Sequence, residues 1–122
     1  MTVHATQLHL FSKRKKPTAH LAPAVEFRTH CMVADILRIS LAPGWYWMHY
    51  PAGELRHKAT AGRLKRMGVK AGVSDFLLIA PGGAQLHVLE LKRRGCKPSK
   101  LQQDFLDLVK LAGGKAAWCD SF

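Results

Sequence analysis

The sequence predicts a single α/β domain in which helices cover both faces of a mixed central sheet. The chain has 122 residues, about the usual size of one domain, so one hydrophobic core is expected. Helical and strand-like apolar patterns alternate along it. In two short segments, residues 75–80 and 86–92, both strand faces are apolar apart from the first or last residues. Because such strands must be buried on both sides, helices are expected above and below the sheet.

The first elements follow a basic N-terminal stretch. Residues 1–22 contain the run Lys13-Arg14-Lys15-Lys16-Pro17 and no sustained apolar period, so a mobile arm is expected. This arm either touches phosphates or is a plain solvated tail. Apolar positions then repeat at helical spacing from Pro23 to Pro43, which predicts the first helix. The aromatic residues 45–50 predict a short strand.

A second helix and a hairpin are predicted in the middle of the chain. Residues 57–67 form a strongly basic helical pattern that Gly68 would end. Residues 75–80 and 86–92 flank Pro81-Gly82-Gly83-Ala84, whose composition and length are typical of a hairpin turn. The order of elements up to this point is therefore helix, strand, helix, hairpin.

The C-terminal part completes the pattern with a helix and a strand. Residues 99–112 predict a third helix that Gly113-Gly114 would end, and residues 116–119 predict a last strand. The apolar face of this helix is expected to consist of Leu101, Phe105, Leu108 and Ala112.

The excess of positive charge favours functions that involve a negatively charged partner. Nineteen Lys and Arg residues against eight Asp and Glu residues give a net charge of +11. Such a charge attracts polyanions, and nucleic acid is the natural candidate. The alternative is that surplus lysine only keeps a small protein in solution. Because acids are so few, each carboxylate becomes informative.

Membrane insertion and export are not indicated. The longest apolar run, residues 76–80, is too short to cross a bilayer, and the N-terminus has no apolar signal core. Three widely spaced cysteines form neither a disulfide framework nor a zinc knuckle and are expected to be reduced thiols. A cytoplasmic protein is therefore expected.

Two of the eight acids are predicted to face each other in the hairpin. If Gly82-Gly83 forms the centre of the turn, Asp75 lies directly opposite Glu90. Opposed like charges lie roughly 5 Å apart and destabilise a sheet by up to about 1 kcal/mol, so something must compensate. Lys92, on the same face, is one candidate. A Mg²⁺ or Mn²⁺ ion held by both carboxylates fits better. The alternative is a solvated edge with a surface ion pair.

A resemblance to a known family makes this site more specific. The segment RLKRMGVKAGVSDF (residues 63–76), the later Glu90-Leu91-Lys92 and then residues 99–102 together resemble the VRR-NUC family, a branch of the PD-(D/E)xK nucleases. The resemblance covers roughly residues 24–119. It departs at Ser74, where a proline is usual, and at Phe122, where related proteins continue into another helix. It implies a restriction-endonuclease-like nuclease domain over residues 23–122.

The resemblance also implies roles for individual residues. Asp75 and Glu90 would bind Mg²⁺ or Mn²⁺, and Lys92 would orient or polarise the attacking water. Gln102 would be the glutamine of the following helix, and Glu26 would be the acidic residue of the first helix. The implied catalytic positions are thus Asp75, Glu90, Lys92, Gln102 and Glu26.

Three of the implied or neighbouring positions also have simpler interpretations. Glu26 falls on the apolar stripe of its helix, but it could equally be a favourable charge in the first helical turn. Gln102 stands three residues after Ser99, the spacing of a capping box. His49 could be an acid–base group, although a lone histidine is more often simply packed or hydrogen bonded.

Basic residues adjoin the predicted site on both sides in sequence, where phosphate contacts are expected. The resemblance implies a homodimeric, structure-selective endonuclease acting on branched DNA such as four-way (Holliday) junctions. A flap or general nuclease and a basic DNA-binding module without chemistry are the alternatives. The predicted DNA contacts are Arg56, Lys58, Arg63, Lys65, Arg66, Lys70, Arg93 and Arg94.

Overall fold

A computed structural model of the protein describes residues 21–51 and 58–121. Residues 1–20 of the predicted arm lie outside these ranges. Residues 21 and 22, the last two of the predicted arm, belong to the first turn of the first helix. The chain divides into two compact units, Met1–Asp35 and Ile36–Phe122. Within the described ranges no helix is both long and apolar enough to span a membrane. The elements are α1 (Leu21–Ser40), β1 (Tyr46–His49), α2 (Lys58–Arg66), β2 (Phe76–Ile79), β3 (Leu86–Leu91), α3 (Lys100–Leu111) and β4 (Lys115–Cys119).

The four strands form one mixed sheet in the order β1-β2-β3-β4. β1, β2 and β3 are consecutive antiparallel neighbours, whereas β4 pairs parallel to β3. A parallel neighbour requires a crossover connection, and α3 provides it. The predicted mixed sheet is therefore confirmed.

The register of the β2–β3 hairpin is the one predicted from its turn. Phe76 pairs with Leu89, and Ile79 pairs with Leu86. The Ala80 amide donates to the Gln85 carbonyl across the turn (3.0 Å). This register places Asp75 and Glu90 opposite each other, one residue beyond the last paired positions.

Both faces of the sheet carry packed side chains. On one face, α3 contributes Leu106 and Val109 to a core cluster with Val88 of β3. On the other face, the fully buried Phe76 packs against Trp47, with ring centroids 6.1 Å apart. The guanidinium of Arg38, from the C-terminal end of α1, lies over the Trp47 ring at 5.5 Å. The arrangement confirms the α/β fold, with α3 on one face of the sheet and the C-terminal end of α1 at the other.

The buried face of α3 differs from the predicted one. Leu101 and Leu108 were expected in the core but are 58% and 59% exposed. Leu106 and Val109 are buried instead. The reason is the packing of the helix on the sheet, where Leu106 and Val109 form one core cluster with Val88 of β3. This tertiary contact decides which side of α3 is buried, and the periodicity of the sequence could not specify it.

The loop before β2 also touches α3 closely. Gly72 has φ +84°, and a Cβ there would lie 2.7 Å from the Leu101 carbonyl oxygen. Only glycine fits, because a side chain would meet rigid helix backbone in a left-handed conformation. The approach fixes the N-terminal end of α3 against the loop that leads to Asp75.

We expect Gly72→Ala to lower the free energy of unfolding by about 3 kcal/mol, since a left-handed residue costs roughly 1–2 kcal/mol and overpacking roughly 1–3 kcal/mol. Urea denaturation would measure the loss. Gly82→Ala is the matched control, because Gly82 has a similar φ of +79° but its Cβ would meet no atom of the described residues within 4 Å. The control is expected to lose only the roughly 1–2 kcal/mol of unfolding free energy that the left-handed backbone conformation costs. Equal losses in both variants would show that the contact with Leu101 is unimportant.

Candidate active site

Asp75 is held by the backbone on two sides at the start of β2. Its main-chain carbonyl accepts a hydrogen bond from the Tyr50 amide (2.8 Å) and lies 2.7 Å from Nδ1 of His49. Its carboxylate oxygen Oδ2 accepts a hydrogen bond from the Leu91 amide (2.7 Å). Contacts to both the main chain and the side chain fix the orientation of this carboxylate beside Glu90.

Glu90 is the most deeply buried charged residue of the described chain, with 3% of its surface exposed. Its Oε1 lies 3.0 Å from Nζ of Lys92. Its Oε2 is also buried and has no hydrogen-bond partner among the described residues. A buried carboxylate oxygen without a partner is costly, so this atom marks a position suited to a cation.

The electrostatics of the pair point the same way. Burial and then the negative charge of Asp75 raise the pKa of Glu90 above its ordinary value of 4.5, while the Lys92 ammonium opposes the shift. Since the folded state binds this proton more tightly than the unfolded state, the metal-free protein loses stability as pH rises from 4.5 through the raised pKa. A divalent cation beside Glu90 would favour the ionised carboxylate and reverse this effect.

The residues present fit a hard divalent cation. The two carboxylates face each other across the hairpin, and Glu90 Oε2 is an unused buried oxygen. Mg²⁺ and Mn²⁺ bind to one or two carboxylates and keep water and phosphate oxygens as further ligands. Asp75 and Glu90 are therefore the residues that could hold such an ion, and their role as ligands remains a prediction.

Gln102 forms the capping box that its spacing allows. The Ser99 hydroxyl accepts a hydrogen bond from the main-chain N–H of Gln102 (3.3 Å), and the side-chain Oε1 of Gln102 accepts one from the main-chain N–H of Ser99 (2.9 Å). The structural interpretation of Gln102 is thus confirmed. Its side-chain Nε2 is not used by the cap, and the catalytic role implied for Gln102 remains a prediction.

Glu26 lies on α1, in the first of the two compact units, whereas Asp75 and Glu90 lie in the second. The helix begins at Leu21, so Glu26 is in its second turn, and the interpretation as a first-turn charge is wrong. Glu26 is also exposed rather than facing inward. Its catalytic role remains a prediction.

The sequence did not indicate that His49 lies beside Asp75. At the end of β1, His49 reaches the Asp75 carbonyl and offers a nitrogen within 4.8 Å of an Asp75 carboxylate oxygen. Its ring packs against Phe76 at 5.4 Å between centroids. The sequence signal was the position of a histidine at the end of an aromatic strand, but the contact depends on how β1 pairs with β2.

The predicted DNA contacts lie on the surface wherever the structure describes them. Arg56 lies outside the described residues, as does the side chain of Lys58. The loop after Lys92 is fixed by a hydrogen bond from the Gly95 amide to Asp120 Oδ2 (3.0 Å). Both basic segments adjoin the carboxylate end of the hairpin along the chain. The exposed members are Arg63, Lys65, Arg66, Lys70, Arg93 and Arg94.

Comparison with known proteins supports the family resemblance. No family model matches the chain, and no curated protein matches it. A solved structure described as "VRR_NUC domain protein" is similar, with a TM-score of 0.62 and 25% sequence identity over 77% of this chain and 75% of that chain. The expected VRR-NUC-like, restriction-endonuclease-like fold is thereby confirmed. The similarity favours a nuclease.

Proposed function

We propose that this chain, whose fold is VRR-NUC-like, is a metal-dependent endonuclease that hydrolyses phosphodiester bonds in DNA. The observation that carries the proposal is the buried Glu90 opposite Asp75, with one oxygen paired to Lys92 and the other without a partner in the part of the chain that the structure describes. A surface ion pair would be solvated and would leave no buried oxygen without a partner. The net charge of +11 supports a polyanionic substrate.

The reaction assigns a task to each of three residues. Asp75 and Glu90 would hold the cation, which would supply an activated water and neutralise charge on the phosphate. Lys92, whose Nζ lies 3.0 Å from Glu90 Oε1, would orient or polarise the attacking water. The attacking water gives up a proton to solvent as its oxygen bonds to phosphorus, the bond from phosphorus to the bridging oxygen breaks, and the leaving oxygen takes a proton from solvent. Gln102 and Glu26 are proposed to support this site.

We expect the double variant Arg63→Ala/Arg66→Ala to weaken DNA binding for every sequence and to reduce the salt dependence of binding by about two ions, because phosphate contacts release counterions. Both arginines are exposed at the end of α2. A salt titration of DNA affinity would measure the slope.

The matched control for this double variant is Lys110→Ala/Lys115→Ala. These exposed lysines lie near the opposite end of the sheet, since Lys115 pairs with His87 at the start of β3 whereas Glu90 lies near its end. The control removes the same charge and is expected to leave the slope close to that of the wild type. An unchanged slope in the arginine variant would show that α2 faces away from DNA.

We further propose that the active species is a homodimer that prefers four-way junctions. The Asp75–Glu90 pair gives each chain a candidate metal site, whereas resolving a junction requires two nicks on opposite strands, which matches a two-fold dimer. The outward side of β1 supports self-association, because Tyr46 and Met48 are 62% and 41% exposed while Trp47 packs inward. Ile79, which pairs with Tyr46, extends this apolar surface.

The proposed activity is tested by incubating the full chain with labelled linear, flap and four-way DNA in Mg²⁺, Mn²⁺ or EDTA, alongside light scattering at micromolar concentration. We expect a dimer that cleaves the junction fastest, with either ion, and not in EDTA. A monomer that nicks duplex as readily as junction would favour a general or flap nuclease. DNA binding without cleavage in any metal would indicate a module without chemistry.

The location proposed for this activity is the cytoplasm. The described cysteines are free, with Cys31 and Cys96 exposed and Cys119 half-buried. Unpaired exposed thiols persist in a reducing compartment. DNA, rather than a membrane, is the proposed partner there.

A further inference from the structure

We propose that His49 is a positioning residue that locks Asp75 for cation binding through its Nδ1–H group. The inference rests on the proposed function, because it assigns a further residue to the same metal site. It concerns a residue that touches the main chain of Asp75 rather than the substrate.

The hydrogen bond defines the form of the histidine. The Asp75 main-chain carbonyl can only accept, so Nδ1 of His49 must carry the proton and donate across 2.7 Å. This donor is required whether or not the second ring nitrogen is protonated. The proposed role is therefore hydrogen bonding by a fixed group and involves no change of protonation.

The ring of His49 is itself held in place. Its centroid lies 5.4 Å from that of Phe76, a residue with no exposed surface, and the two residues are directly paired between β1 and β2. The Tyr50 amide donates to the same Asp75 carbonyl at 2.8 Å. A buried ring and a strand backbone therefore fix the donor, so the carbonyl is held by two groups of limited freedom.

The consequence for the carboxylate follows from the third contact. The Leu91 amide donates to Oδ2 of Asp75. The His49 ring and the Tyr50 amide donate to the main-chain carbonyl of the same residue. With both ends of the residue fixed, the carboxylate is preorganised opposite Glu90 without a cation. Removing the His49 donor would take away one of the groups that hold the start of β2, so the Asp75 carboxylate would have more freedom to lose when it binds a cation.

The test is Mn²⁺ binding to the full chain without DNA, measured by calorimetry, for His49→Phe and His49→Asn. The Phe variant keeps the ring against Phe76 and loses the donor, and we expect its Mn²⁺ affinity to fall by about tenfold or more. The Asn variant places an amide N–H near the position of Nδ1, and its affinity is expected to recover to within about threefold of wild type. Wild-type affinity in the Phe variant, or no recovery in the Asn variant, would overturn the proposal.

Controls separate positioning from simple loss of structure. His87→Phe is matched to His49→Phe, because His87 also contacts an aromatic ring, that of Trp45 at 4.9 Å, and it is expected to bind Mn²⁺ as the wild type does. The melting temperatures of the metal-free His49 variants are expected to be similar to each other. If affinity fell only in step with melting temperature, the role of His49 would be structural and the proposal wrong.

A second variant keeps the test decisive if His49→Phe does not fold. His49→Gln carries its amide one bond farther out, where it cannot replace Nδ1–H, so we expect weak Mn²⁺ binding beside the recovered Asn variant. Glu90→Gln in the same series identifies failure of the metal site itself. If Glu90→Gln binds Mn²⁺ as tightly as wild type, or if wild type binds none, both the metal site and the role of His49 are overturned. Loss in Glu90→Gln with no change in any His49 variant would reject His49 alone.

Discussion

Glu90→Gln is expected to lower the rate of DNA cleavage by about 1000-fold or more while DNA affinity stays within about threefold of wild type. The substitution keeps the side-chain volume and an oxygen that can accept from Lys92. It removes the negative charge from a side chain that is 3% exposed and whose Oε2 has no partner among the described residues. Single-turnover cleavage and equilibrium DNA binding measure the two effects separately.

Asp104→Asn is the matched control for this variant. It removes the same charge from a half-exposed α3 residue that pairs with Lys100 at 2.7 Å, and cleavage is expected to be unchanged. In the absence of metal, the Glu90→Gln variant should also melt at a higher temperature than the wild type when both are measured at a pH above the raised pKa of Glu90. The reason is that the variant has no buried carboxylate to ionise at this position. Undiminished cleavage by a folded Glu90→Gln variant would contradict the site.

Lys92→Met is expected to reduce cleavage at saturating metal by about 100-fold, with a smaller change in metal affinity. The substitution keeps most of the length of the side chain, which is 17% exposed, and removes the ammonium 3.0 Å from Glu90 Oε1. If Lys92 acts on the attacking water, its loss lowers turnover even when the metal site is full. Turnover and Mn²⁺ affinity, measured over the same range of metal concentrations, separate the two effects.

Lys110→Met controls for the loss of one positive charge at an exposed position on α3 and should leave turnover unaltered. The opposite result for Lys92→Met would assign Lys92 a structural role. If Mn²⁺ affinity collapsed while turnover at saturating metal stayed normal, Lys92 would be a counter-ion for the buried Glu90 and would take no part in the reaction.

The hairpin was predictable from sequence because its register is set locally. Glycines at the centre of a short turn leave one pairing, and the two-residue period of strands then places Asp75 opposite Glu90. The helical periodicity of α3 was predicted too, but not its rotation, since this depends on the packing of Leu106 and Val109 against Val88 of β3. Val88 is distant from both residues in the sequence and leaves no periodic signal in the helix.

Other parts of the site required the tertiary structure for the same reason. His49 meets Asp75 because β1 pairs with β2 in one register, and nothing near His49 in the sequence indicates that pairing. Gln102 could be recognised as a cap from its spacing to Ser99 alone. That spacing also suits the family resemblance, so the sequence could not separate the two roles.

The placement of both candidate ligands on one hairpin has a consequence for motion. Glu90 lies within β3 and Asp75 directly precedes β2, and the two strands share a continuous hydrogen-bond ladder, so the backbone separation of these residues changes only if that ladder opens. The proposed DNA contacts lie on α2 and on the loop after β3, outside the ladder. Helix α2 can therefore adjust to the proposed DNA substrate while the spacing of the candidate cation ligands stays constant. Substrate adaptability and ligand rigidity reside in different parts of the same small domain.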